Sequence, residues 1–295
     1  MQFSRMEPIH AGWSGDQKYR AWTEDGSSYF IRLCPPEKEE KLQKAFSFQK
    51  QAADAGLPVS RPLELTAQGE KLLWVEEWTS GEMAEEALPR LSPAEQYPLG
   101  VQAGQTAKAL HSLPCSTPQE SWEVRFGRKL DKKIEMYRAC PLQYENGELF
   151  IRYLEENRHL LAGRPQCTQH GDFHVGNMIL CDGTLAIIDF DRPDFGDPWE
   201  EFNRIVWCAQ LSPAFASGLV DGYFGGTPPL LFWRLLALYI SSNTLGSLPW
   251  AIPFGETESA TMRKQAAEVL QWYDNMKNPI PSWYQSKAQS KPLVN

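Results

Sequence analysis

A chain of 295 residues, 42% hydrophobic and 22% charged, has the composition of a globular protein large enough for one big domain or two lobes. Its net charge of -8 argues against a nucleic-acid partner, which needs a basic patch, and favours the approach of cationic small molecules. The opening stretch MQFSRMEPIHAGWSG has no apolar signal core, the apolar stretch 228–240 is short and broken by Arg234, and the six cysteines are scattered without a CxxC pair. These features predict a cytoplasmic protein with reduced thiols and no membrane partner.

In chain order, residues 1–79 read as a small lobe rich in strand signals. Gly12-Trp13-Ser14-Gly15 is a Gly/Ser loop before the strand Lys18-Tyr19-Arg20-Ala21-Trp22, and Asp25-Gly26 turns into Tyr29-Phe30-Ile31-Arg32-Leu33. A glycine loop between antiparallel strands lets backbone N–H groups approach phosphates, so Gly12, Ser14 and Gly15 are candidate nucleotide contacts, with Arg32 as the basic residue reaching the phosphates. Residues 35–55 form a helix that starts near a proline and stops at Gly56, with Leu42, Ala45, Phe46, Gln49, Ala52 and Ala53 on one face. Strands are expected over 59–65 and 71–78. Val75-Glu76-Glu77-Trp78 then reads either as an ordinary edge strand or as the connector, where Glu76 and Trp78 are candidate adenine contacts, and Thr79-Ser80-Gly81-Glu82 marks the boundary with a second lobe, 80–295.

That second lobe is mostly helical. Ser92-Pro93-Ala94-Glu95 spells a capping box that opens a helix over 92–113 with Tyr97, Val101, Gly104, Ala107 or Lys108, and His111 on its repeating face. His111, at the helix end, reads as structural. Helices follow over 126–138 and 148–161. Near the C-terminal side, Asp197 reads as an N-cap with Pro198 at N1 and Glu200 at N3, followed by helices over 223–247 and 256–276.

The stretch around which the chain is organised is 168–192, TQHGDFHVGNMILCDGTLAIIDFDR. Met178-Ile179-Leu180 and Leu185-Ala186-Ile187-Ile188 are two strands, and Cys181-Asp182-Gly183-Thr184 supplies their turn. Polar groups just before and just after a hairpin meet at one end of it. Asp172, Asn177 and Asp189 are thereby gathered as two carboxylates and an amide, the oxygen donors a hard divalent cation and its phosphates require. Phosphoryl transfer needs positioning and charge neutralisation: Asp172 suits the base that orients an acceptor hydroxyl, Asn177 and Asp189 the metal.

HGDFHVGNMIL followed by IIDFDRPDFGDPWEE resembles the aminoglycoside phosphotransferase family, which also contains choline, homoserine, macrolide and fructosamine kinases; His170-Gly171-Asp172 stands where protein kinases carry His-Arg-Asp. The resemblance implies an α+β, bilobal protein-kinase-like fold, with a small antiparallel-sheet nucleotide-clamping N-lobe and a larger, mostly helical catalytic and acceptor-binding C-lobe. It implies ATP or GTP as donor, Mg2+, and a small hydroxylated acceptor. By the family pattern Asp172 is the catalytic base, Asn177 and Asp189 hold the metal, and His170 shapes the loop. Asp194-Phe195-Gly196 spells the protein-kinase metal motif, but Asp189 directly follows an apolar strand and is the better ligand. The chain departs from the family in carrying Arg32 where a lysine is usual and Ala45 where its helix glutamate partner falls, with Glu39 or Glu40 as substitutes. These departures leave a kinase-like binding protein as the competing reading. Acceptor candidates are the acids Asp191, Asp194, Glu200, Glu201 and Asp274, suited to a polycationic aminoglycoside, and the aromatics Trp207, Trp272 and Tyr273, suited to a quaternary ammonium or a macrolide.

Overall fold

The structure, a computed structural model, describes residues 1–10, 15–115 and 120–285. The chain divides into two compact units, one of Met1–Ala87, His170–Asp172 and Gly176–Asp194, the other of Leu88–Gln169, Phe173–Val175 and Phe195–Asn295.

The first unit is built on a five-stranded antiparallel sheet of β1 (Arg5–Ile9), β2 (Gln17–Trp22), β3 (Ser28–Cys34), β4 (Pro62–Gln68) and β5 (Lys71–Glu77), in the order β1-β2-β3-β5-β4. The edge strand β1 was not expected, because Arg5-Met6-Glu7-Pro8-Ile9 is almost wholly exposed and carries no apolar alternation. The β2–β3 turn closes as its residues dictate. The Asp25 carboxylate accepts the Ser27 N–H at 3.0 Å, and Gly26 takes the left-handed conformation at φ 86°. Helix α1 (Glu39–Asp54) packs Leu42 and Ala45 against Cys34, Leu72 and Trp74 of the sheet. Its buried face differs from the expected one at a single position. Phe48 is buried, whereas Phe46 sits at the rim, edge-on to Trp74 with ring centres 5.3 Å apart. The opposite sheet face closes over Ala21, Ile31, Leu73 and Val75.

After β6 (Glu82–Met83) and α2 (Ala84–Ala87), the chain runs through α3 (Pro93–His111), α4 (Trp122–Arg138), α5 (Glu148–Asn157) and β7 (Cys167–Gln169). It then returns to the first unit for the hairpin β8 (Met178–Cys181) and β9 (Thr184–Ile187). The hairpin turn is the two-residue Asp-Gly kind read from the sequence, with Asp182 at φ 46° and Gly183 at φ 78°. β6 adds to β8, and the Ile187 backbone bonds Pro58 at 2.8 Å and Ser60 at 3.0 Å, stitching the hairpin to the segment before β4.

The second unit is helical. Beyond β10 (Asp194–Gly196), which pairs with β7, come α6 (Ile205–Leu211), α7 (Pro213–Phe224), α8 (Leu230–Ala251) and α9 (Glu256–Trp272). The capping box of α3 forms as expected: the Glu95 carboxylate accepts the Ser92 N–H at 2.8 Å. The single helix expected over 223–247 is in fact two. α7 ends at Phe224, Gly225 takes the left-handed conformation at φ 67°, and Pro228-Pro229 prevent continuation before α8. The helix expected to start at Asp197 begins instead as a 3-10 turn over Glu200–Arg204. The Asp197 carboxylate does receive the Trp199 N–H at 3.0 Å, but it is fully buried and also takes Arg164 at 2.6 Å and the Tyr239 hydroxyl at 2.6 Å. It serves a tertiary network more than a cap.

Helices α3 and α7 touch backbone to backbone through two glycine pairs. A Cβ added at Gly104 would lie 2.1 Å from the Leu219 carbonyl oxygen, and one at Gly222 would lie 2.2 Å from that of Val101. The buried face of α3 therefore centres on Gly100, Ala103, Gly104 and Ala107, where the sequence reading had Tyr97 and Val101 in place of Gly100 and Ala103. We expect Gly104→Ala or Gly222→Ala to cost about 1–3 kcal/mol by chemical denaturation, since a carbonyl in a packed helix cannot yield. Gly127→Ala on α4, with open space around it, is expected to gain up to about 1 kcal/mol in the same assay.

Candidate active site

The loop entering the hairpin is held by two side chains, His170 and Asn177, and by one close backbone approach at Gly171. His170 is fully buried, and its Nε2 lies 3.0 Å from the Ile188 carbonyl oxygen. Because the Asp172 N–H donates to the other ring nitrogen, Nδ1, at 3.3 Å, the bonding network assigns the proton to Nε2. Gly171 sits at φ 84°, and a Cβ there would lie 1.9 Å from the Arg192 carbonyl oxygen. The backbone thus passes so close that glycine alone fits between His170 and Asp172. Asn177 then donates its Nδ2–H to the Asp172 carbonyl at 2.8 Å, which fixes the end of the amide that carries the oxygen.

The strand leaving the hairpin places a second carboxylate beside the loop. The Ile188 N–H bonds the Asn177 carbonyl at 3.0 Å, and the next residue, Asp189, turns into the left-handed region at φ 63°. Such a conformation in a non-glycine residue marks a position held by its surroundings. Burial, and then the adjacent Asp191 carboxylate, push the Asp189 carboxyl above the usual range, while Lys18, Arg32 and His170 pull it down. The Asp172 side chain faces Arg192 Nη1 at 3.6 Å.

Arg32 is the centre of a buried ion chain. Its Nε bonds Asp16 at 2.7 Å, its Nη2 bonds Asp191 at 2.7 Å, and Lys38 reaches the other Asp16 oxygen at 2.7 Å. Burial works against the guanidinium charge, but Asp191 and Asp16 outweigh it and hold Arg32 ionised. Burial likewise raises Asp16, and Lys38 and Arg32 more than reverse this. The helix-glutamate partner considered in the sequence reading is not used. Ala45 is buried in the core, while Glu39 and Glu40 are exposed on α1 and bond Gln43 and Lys44. The cation finds its partners on the segment before β2 and after β9 instead. Asp191, read as an acceptor acid, is committed to Arg32.

Lys18 was missed in the sequence. On β2 it is directly opposite Arg32 in the ladder, and its charge acts on Asp189. Opposed residues of an antiparallel pair share a face. The signal available was the alternation Asp16-Gln17-Lys18, which puts Asp16 and Lys18 on one face.

Gly15 takes a left-handed turn at φ 69° before β2, whereas Gly12 and Ser14 lie outside the described residues. Glu76 is a ladder residue opposite Phe30 whose side chain is buried. Burial raises its carboxyl, and it takes the Trp74 indole N–H at 2.5 Å. Trp78 stacks under the Arg20 guanidinium, 4.3 Å from its ring centre. Of the acceptor candidates, Asp194 opens β10. Trp207 and Trp272 are half-buried on α6 and α9, and Tyr273 has no exposed surface. Glu200 is buried and bonds Lys129 Nζ at 3.1 Å.

The chain belongs to the phosphotransferase enzyme family (APH), whose model matches residues 5–233. It is 34% identical over 74 residues to the glucosamine kinase of Streptacidiphilus jiangxiensis, a match that spans 24% of this chain and 16% of that protein. Among solved structures it is similar to the amicoumacin kinase hAmiN in complex with AMP-PNP, Ca2+ and Ami, with a TM-score of 0.67, 15% identity, and 94% and 90% of the two chains covered. A choline/ethanolamine kinase family protein from Mesorhizobium loti gives 0.69, 16% identity and coverage of 94% and 91%. A ternary complex of aminoglycoside phosphotransferase APH(4)-Ia with ADP and hygromycin B gives 0.68, 13% identity and coverage of 91% and 94%. At these identities the likeness shows the fold, an α+β protein-kinase-like architecture with a sheet unit and a helical unit.

Among the described residues no helix is long and apolar enough to cross a membrane, and no three His, Cys, Asp or Glu side chains are grouped to hold a metal unaided. The donor set nonetheless fits magnesium. Magnesium takes one or two protein oxygens and fills its other positions with water and phosphate. Burial, and then Asp191, hold the Asp189 carboxyl above the usual range, and a divalent cation would offset both. Replacing Arg32 with Met would leave Asp16 and Asp191 buried without their shared cation, and we expect a loss of about 3–5 kcal/mol in urea denaturation. Arg32→Lys should recover only part of it, since one ammonium cannot fork onto both carboxylates.

Proposed function

We propose that this protein is a small-molecule kinase that moves the γ-phosphate of ATP or GTP to a hydroxyl of a small acceptor. The observation that carries the reading is that one compact unit holds Asp172 on a loop pinned by His170 and by the glycine contact at Gly171, Asn177 bonded to the Asp172 carbonyl, and Asp189 just past the strand whose end pairs with Asn177. Asp172 accepts a hydrogen bond from the acceptor hydroxyl and takes its proton as the oxygen bonds to phosphorus, while the bond to the departing nucleoside diphosphate breaks. The loop contacts that hold the Asp172 backbone set the direction from which that hydroxyl is met. Asn177 and Asp189 would hold Mg2+, which supplies charge neutralisation to the phosphates. Lys18 takes the phosphate contact that the sequence assigned to Arg32, because Arg32 spends its fork on Asp16 and Asp191. The family's nucleoside triphosphate donor fits a cytoplasmic enzyme.

A kinase-like binder without transfer activity is the competing reading, and the engagement of Arg32 by two carboxylates favours it. The two part on turnover. With a panel of aminoglycosides, macrolides, choline and amino sugars, nucleotide-dependent phosphorylation of at least one acceptor is expected. Asp172→Asn should lower kcat by about 10²–10⁴-fold and leave Mg2+-dependent nucleotide binding in place. A wild-type protein that turns over none of them, or an Asp172→Asn variant of equal rate, would sink the catalytic reading. Lys18→Met is expected to raise the nucleotide KM about tenfold or more, the weight of one charge-assisted hydrogen bond, with kcat changed less.

A further inference from the structure

One arginine of the sheet is held by aromatic rings alone. Lys18, Arg20 and Trp22 of β2 share a face, because side chains alternate along a strand. In the ladder with β3, Lys18 is opposite Arg32, Arg20 opposite Phe30 and Trp22 opposite Ser28. Trp78, just past β5, joins β3 at the same level, where its N–H bonds the Ser28 carbonyl at 3.0 Å. The Arg20 Cζ lies 4.8 Å from the Trp22 ring centre and 4.3 Å from that of Trp78. Arg5 of β1 also stacks on Trp22, at 4.8 Å. Glu7 stands opposite Arg20 in the β1 ladder, but it bonds Arg5. Among the described residues Arg20 makes no hydrogen bond or ion pair, and its Nε is buried without a partner. A Leu or Met would cover both indoles without leaving a buried N–H unbonded. Stacking fixes the plane of the guanidinium, and that planar fork offers paired donors and no acceptor.

We infer that Arg20 reads the base of the nucleotide donor and selects guanine, so that GTP rather than ATP is the phosphoryl donor. The inference rests on the kinase reading, with Lys18 as its phosphate contact. Arg20 is two residues beyond Lys18, about 7 Å along the strand, on the side away from Asp16 and toward Trp22. A nucleotide lying along β2 with its phosphates at Lys18 brings its base, not its phosphates, to Arg20. Guanine presents two neighbouring acceptors, O6 and N7, to such a fork. Adenine presents N7 beside its N6 amino group, where a donor would meet a donor. Trp78, read from the sequence as an adenine contact, instead holds the arginine that discriminates against adenine.

The test is titration calorimetry of the full chain with the magnesium complexes of GDP, IDP, ADP and 7-deaza-GDP. IDP keeps O6 and N7 but lacks the guanine 2-amino group, and 7-deaza-GDP has C–H in place of N7. GDP and IDP are each expected to bind about tenfold or more tighter than ADP. Loss of N7 should weaken GDP binding by about fivefold or more. Both results are read on wild-type protein, so neither depends on a variant folding. Arg20→Met should bring GDP and ADP within about twofold of each other, and Arg20→Lys should restore only part of the preference, since an ammonium has no fork. The inference is overturned if no nucleotide binds, if ADP or 7-deaza-GDP binds as tightly as GDP, if IDP binds no tighter than ADP, or if the guanine preference survives in Arg20→Met. Because binding is read without turnover, a guanine preference with no acceptor phosphorylated would remove the kinase reading and leave this one standing. Phosphorylation of an acceptor with ADP and GDP binding equally does the reverse.

Discussion

The site depends on one buried guanidinium. Arg32 bridges Asp16, from the segment that enters β2, and Asp191, just past the strand that ends at Ile187. Those acids belong to separate stretches of sequence, and without the shared cation Asp191 would lose its bonded cation while Asp16 would keep only Lys38. The arrangement is also electrostatically graded. Lys38 completes the far side of Asp16, while Asp191 presents its own charge to Asp189. The carboxylate most exposed to repulsion is therefore the one proposed to hold a cation. An ordinary surface salt bridge is weak. This chain is buried, hydrogen-bonded at each link, and fixes strand β3 against the end of the β8–β9 hairpin.

That role explains the departure from the family's usual lysine. A lysine presents a single ammonium, whereas Arg32 forks onto two carboxylates that lie apart, and the geometry uses both arms. With Arg32 spent in this way, Lys18, opposite it in the ladder and on the same face of the sheet, is the cation proposed for the phosphate contact. The absent helix glutamate is then no deficit. Ala45 packs beneath Trp74 and Leu42 in the core, and a carboxylate there would need a partner that Asp16 and Asp191 have already taken.

The helical unit is governed by a different constraint, close approach of backbones. Gly100 and Gly104 press on the α7 backbone at Phe215 and Leu219, and Gly218 and Gly222 on the α3 backbone at Tyr97 and Val101, so tightly that no side chain could stand at any of the four. Gly246 on α8 does a similar thing for one lysine, giving the Lys133 stem a place to lie. Small residues here decide where larger side chains lie.

Much of the local structure in both units was legible in the residues. The Asp182-Gly183 turn, the two apolar strands around it, the Ser92–Glu95 box and the spacing of Asp172, Asn177 and Asp189 are local patterns, and local patterns are written in neighbouring side chains. The split between α7 and α8 was equally local but overlooked, since Gly225 and Pro228-Pro229 carry the stop. Other features could come only from tertiary structure. Nothing near Arg32 says that its partners are Asp16 and Asp191, and nothing near Lys133 says that Gly246 lies under it. Glycine at 171 is visible in the sequence, yet the reason for it, the Arg192 carbonyl pressed against it, is a contact across a loop. Turns, caps and strand alternation depend on interactions within a few residues, so the chain states them directly. Which buried charge meets which, and where a backbone passes close to another, depend on how distant segments pack, and packing is a property of the folded whole.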